Sequence, residues 1–107
     1  MALTSKPMHP IDRALAQVLA AAVTDAGVTR RVLAAKTGMS ANRLGIILRG
    51  ERPAATVGEA EVIASALGLD VFALFEDAER RANADDYVLA ALDRDDDAEV
   101  EAQQEEP

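Results

Sequence analysis

The chain has 107 residues, half of them hydrophobic, and a formal net charge of -8; that length and apolar share fit one compact domain. There is no cysteine and one histidine, His9. This excludes disulfide scaffolds, thiolate metal sites, thiol nucleophiles and any histidine-based triad or metal cluster within one chain. No cofactor is expected, and no nucleophile–base constellation marks an enzyme. No apolar run reaches the roughly 18 residues of a membrane span, and the N-terminus does not read as a signal peptide, so a soluble, cytoplasmic protein is expected.

The only aromatic residues are Phe72, Phe75 and Tyr87, so the core must come from aliphatic side chains and close alanine contacts. Alanine, leucine, glutamate and arginine favour helix, and long β-branched runs are absent. An all-α fold follows, and a sandwich or barrel is excluded. The net charge is unevenly spread. Residues 82–107 carry ten acidic side chains against Arg94 alone, a net of -9, which leaves residues 1–81 at +1. Within residues 26–56, Arg30, Arg31, Lys36, Arg43, Arg49 and Arg52 face only Glu51, a net of +5. A basic block of this kind is expected of a surface that touches phosphates.

In chain order, residues 1–10 contain Pro7 and Pro10, lack periodicity and read as a flexible arm. Ile11, Leu15, Val18, Leu19, Ala22 and Val23 then recur at helical spacing, and Gly27 ends that helix. Thr29 caps a short second helix with Val32, Leu33 and Ala34, closed by Gly38. Ser40 caps a third, in which Leu44, Ile47 and Leu48 share a face, and Gly50 follows it. Thr56 and Glu59 form a capping box for a fourth helix with Val57, Ala60, Ile63, Ala64 and Leu67 on its buried stripe. Asp70 caps a fifth, carrying Val71, Leu74, Phe75 and Ala78. The pattern weakens after Arg81. The expected organisation is an arm at 1–10, a domain at 11–81 and a disordered acidic tail at 82–107, with one short helix at 85–93 that includes Tyr87, Val88, Leu89 and Leu92.

Two short helices joined by Gly38-Met39-Ser40 form the central constellation, with Met39 placed to plug the angle between them. The run of residues 26–53, AGVTRRVLAAKTGMSANRLGIILRGERP, resembles the helix-turn-helix of Cro/CI-type (XRE family) DNA-binding proteins. The similarity rests on Gly27, Leu33, Ala34, Gly38, Ser40, Leu44, Ile47, Arg49, Gly50 and Arg52. Residues 64–75, ASALGLDVFALF, look like that family's fourth-helix end and fifth helix. The third helix, with Gly45, is similar to that of lambda-type phage repressors. In three places the chain departs from the family pattern. Thr37 stands where an apolar residue is usual, Glu51 replaces a common basic residue, and the loop to Thr56 is one residue longer.

The resemblance implies a five-helix, lambda-repressor-like domain whose third helix enters the DNA major groove. With Leu44, Ile47 and Leu48 inward, rotation by about 100° per residue turns Asn42, Ile46 and Arg49 outward. Asn42 is then expected to read adenine, Arg43 to read guanine or reach a phosphate, and Ala41 and Ile46 to touch a thymine methyl. Ile46 fits a core or protein contact equally well. Gly45 allows close approach to DNA or to the second helix. Arg30, Arg49 and Arg52 are expected on the phosphate backbone. Val71, Phe72 and Phe75 are the expected contacts of a homodimer.

The function expected is a sequence-specific double-stranded DNA-binding regulator, a phage-type repressor or Cro-like switch acting as a dimer on a near-palindromic operator. The alternatives are an antitoxin that represses its own operon and a protein-interaction module on the same scaffold. The acidic tail offers a place for a protein partner.

Overall fold

The computed structural model describes residues 8–93, with side chains as far as Ala84. Most of the expected arm, and the tail beyond Asp93, lie outside the described residues. Five helices follow in order: α1 Pro10–Ala26, α2 Arg30–Thr37, α3 Ala41–Leu48, α4 Val57–Ala66 and α5 Val71–Asp93. There is no strand among the described residues, so the all-α expectation holds.

The helix starts follow from local chemistry. Pro10, placed in the arm by the sequence, opens α1 instead, where its missing N–H leaves nothing unsatisfied. The hydroxyl of Thr29 accepts from the Val32 N–H at 3.2 Å and that of Ser40 from the Arg43 N–H at 3.0 Å. Thr56 and Glu59 exchange hydrogen bonds of 3.0 and 2.9 Å, and the Asp70 carboxylate accepts from the Phe72 N–H at 3.1 Å. Each such cap contributes about 1 kcal/mol. The four expected caps are therefore all formed.

Leu19, Leu33, Leu44, Ile47 and Ile63 are fully buried, one or more from each of the first four helices. Leu74, Ala78 and Ala82 add α5 to this core. α1 lies along α5 and also touches α3 and α4, while α2 packs on α3 and α4. Ala14, Ala60, Ala64 and Ala78 are buried almost completely at these crossings. With so little side-chain bulk there, the helices approach closely and the core needs no aromatic filler.

Two expectations change. Val57, assigned to a buried stripe, is 72% exposed, and Ile11 and Val32, apolar residues of the first and second helical patterns, are 42 and 45% exposed. All three lie in the first turn of their helices, where side chains lean back toward the N-terminus and past the layer they would pack on. Helix α5 also does not stop near Arg81 before a separate short helix; it runs unbroken to Asp93. Its sequence from 71 to 93 contains neither glycine nor proline, and Ala82 extends the inward row of Leu74 and Ala78 by one turn. The acidic run dilutes the amphipathic pattern without breaking the backbone.

Candidate nucleic-acid interface

The turn between α2 and α3 sets the site. Gly38 has φ 76°, a left-handed conformation that side chains bearing a Cβ adopt only at a cost, and its N–H donates to the Ala34 carbonyl at 2.9 Å. Thr37 is not an intruder on an apolar position. Its hydroxyl donates to the Leu33 carbonyl at 2.8 Å and accepts from the Met39 N–H at 3.1 Å. One side chain thus ties the end of α2 to the turn. Met39 is half-buried against the core, as a plug between the helices requires.

With α3 fixed by Leu44 and Ile47, its first two residues, Ala41 and Asn42, face solvent, and Ile46 is half-buried. Gly45 forms a saddle. A Cβ there would stand 2.8 Å from Arg49 Nη1 and 3.0 Å from Arg30 Nη1. The absence of a side chain therefore lets two guanidinium groups, one from the start of α2 and one from the end of α3, meet over the helix. Those two nitrogens lie within about 6 Å of each other. Arg30, Arg31, Lys36, Arg49 and Arg52 are all exposed. Among the described residues, Arg30 has no carboxylate partner, whereas Arg49 pairs with Glu51 at 2.9 Å.

Arg43 is used differently from what the sequence suggested. Its Nε and Nη2 donate to the two Glu59 carboxylate oxygens at 2.8 and 2.7 Å. Nη1 donates to the Pro53 carbonyl at 2.7 Å and Nη2 to the Ala54 carbonyl at 2.9 Å. The side chain is only 21% exposed. A guanidinium spent on four internal acceptors is a brace and has little left to read guanine or hold a phosphate. The Arg43 hydrogen bond, opposed by partial burial and helped by the Thr56 N–H, holds the Glu59 carboxyl down at about 2 against its ordinary 4.5. The same carboxylate oxygen that accepts from Arg43 also caps α4 through the Thr56 N–H. Sequence reasoning found Glu59 as a capping residue but missed this link, because no periodicity relates positions 43 and 59.

A family model described as a helix-turn-helix domain matches residues 14–82. The chain belongs to the helix-turn-helix domain family. Among solved structures it is similar to the crystal structure of the clp gene regulator ClgR from Corynebacterium glutamicum, with a TM-score of 0.66 and 25% identity over 87% of this chain and 98% of that one. No curated protein matches the sequence significantly. The resemblance drawn from residues 26–53 and 64–75 is thus borne out, and the five helices are those of a DNA-binding regulator class. No helix among the described residues is long and apolar enough to cross a membrane.

Two measurements check this site. Because Glu59 titrates lower in the folded state than its ordinary 4.5, its pairing stabilises the fold above that pH and is lost as pH falls toward about 2. Glu59→Gln should cost roughly 1.5–3 kcal/mol in urea unfolding at neutral pH, and the gap to wild type should close between about pH 4.5 and 2. A gap independent of pH would detach the brace from Glu59 ionisation. Gly45→Ala should raise stability by up to about 1 kcal/mol through helix propensity while displacing the Arg30 and Arg49 guanidinium groups and weakening DNA binding. Unchanged affinity would show that the saddle has no part in binding.

Proposed function

We propose that this chain is a transcriptional repressor that binds a specific double-stranded DNA site as a homodimer and blocks RNA polymerase by occlusion. The observation that carries the reading is the pairing of an exposed α3 N-terminus, Ala41 and Asn42, with the guanidinium groups of Arg30 and Arg49 over Gly45. Asn42, which both donates and accepts, suits adenine in the major groove, and Ala41 suits a thymine methyl. Half-buried Ile46 contributes an apolar edge beside them. Arg30, Arg49 and Arg52 supply contacts to phosphate, which set register without reading sequence. Arg43 is left out of the base-reading set and given the role of holding the 49–56 loop in place.

A dimer is supported by a largely apolar face that includes the start of α5. Phe72 is 69% exposed and meets Phe75 edge-on, with ring centroids 6.4 Å apart. Beside Phe75 a groove of about 260 Å³ is lined by Ile11, Leu15, Ala55, Val57 and Ala78, with Asp12 as its one charged residue. Phe72 and Phe75 are the contacts we assign to the second copy; Val71 is half-buried against the chain's own core and backs them.

Fragments of the source genome selected by the full chain, then titrated at several salt concentrations, test the reading. Asn42→Ala should cost about 1–3 kcal/mol at one base position. Arg52→Ala should weaken all duplexes alike and reduce the salt slope by about 0.9. Absence of salt-sensitive duplex binding by the wild type would overturn the proposal. Phe72→Asp should sediment as a folded monomer with weakened binding to the selected fragment. A wild type that stays monomeric on that fragment would remove the dimer.

A further inference from the structure

Glu51 is the one acidic residue inside the basic stretch of residues 26–56, and its position is tightly set. Gly50 before it has φ 72°, and the Glu51 N–H donates to the Ile46 carbonyl at 3.0 Å. The carboxylate is thereby presented at the end of α3. There it takes the Nε and Nη2 edge of Arg49 in a two-point fork, at 2.9 and 3.1 Å. Two phosphate oxygens would engage a guanidinium through the same edge. The other terminal nitrogen of Arg49 lies over Gly45 beside that of Arg30.

We propose, on the strength of the DNA-binding reading above, that Glu51 is a built-in competitor for the DNA backbone. Its carboxylate occupies the fork of Arg49 that a phosphate would take, and its charge repels the phosphates nearest that end of α3. The two side chains are 49 and 51% exposed, so water and salt screen the pair and DNA can displace the carboxylate. Only Gly50 separates the partners in sequence, so the carboxylate is always at hand to recapture Arg49. The device lowers binding to every duplex by the same factor, because a phosphate contact carries no sequence information. Base contacts from Ala41 and Asn42 then have to supply what the backbone withholds, and the chain leaves unmatched DNA more readily.

The test uses the full chain as wild type, Glu51→Gln, Arg49→Ala and the double variant. Each is titrated by fluorescence anisotropy against a short random-sequence duplex and a fragment selected from the source genome, at several salt concentrations. Glu51→Gln should bind both duplexes several-fold more tightly at low salt. Its plot of log affinity against log salt should steepen by about 0.9, one further phosphate neutralised. In the Arg49→Ala background the same substitution should bring no such gain. Circular dichroism melts should match wild type, since the pair is exposed. Unchanged or weaker binding by Glu51→Gln overturns the competition, as does a full gain that survives without Arg49, which would report bulk charge alone. If wild type binds no duplex in a salt-sensitive way, the DNA-binding reading falls and this inference with it. If wild type binds and Glu51→Gln gains nothing, only the competition falls.

Discussion

The arrangement of the site depends on one ionic contact, the two-point bond between Arg43 and Glu59. α3 is only eight residues long and ends in a loop without regular structure. Such a helix gains little from its own hydrogen bonds and must be held by neighbours. Arg43 does this from one side by reaching the Pro53 and Ala54 carbonyls and the first turn of α4 at once. The loop that carries Glu51 and Arg52 is therefore pinned at both ends, by α3 before it and by the Arg43 brace after it. The bond is partly exposed, at 21 and 26%, so neither charge bears the full desolvation cost of a buried pair.

The brace also changes how the basic block is understood. Counted by sequence, residues 26–56 offer six cations against one carboxylate. In the fold, Arg43 is taken up by Glu59, which lies outside that window, and Arg49 is shared with Glu51. Cations held in these two ways act differently. A guanidinium enclosed by four acceptors serves architecture. One in an exposed pair remains available to a competing anion, because screening makes such pairs weak. Arg30 and Arg49 meet over Gly45 only because that residue has no Cβ. The helix gives up local propensity there and gains a place where two cationic side chains come together over it.

The core shows a related economy. Alanines at the crossings of α1 with α4 and α5 bring the helices together, and five large aliphatic side chains fill the centre. The two phenylalanines are not required inside. Phe72 stands in solvent and Phe75 is half-buried beside it, which leaves aromatic surface on α5 for a neighbour.

The primary sequence was enough to determine the starts of the second to fifth helices, with caps at Thr29, Ser40, Thr56 and Asp70, the breaks at Gly27 and Gly38, and the inward face of Leu44 and Ile47. These are local signals: a cap needs a hydroxyl or carboxylate three residues or fewer from its N–H, and a buried stripe needs only period. The exposure of Ile11, Val32 and Val57 escaped it, because a stripe does not say where the neighbouring layer ends. The unbroken α5 escaped it, because weak amphipathicity was taken for a stop when no breaker was present. The fates of Arg43 and Arg30 were a tertiary matter, whereas the Arg49–Glu51 pair is local. Arg43, Arg49 and Arg30 read alike as cations in sequence, yet one braces a loop, one is forked by Glu51 and one leans over a glycine. Long flexible side chains choose among acceptors by distance in space, and the distance from Arg43 to Glu59 exists only once α3 and α4 have packed.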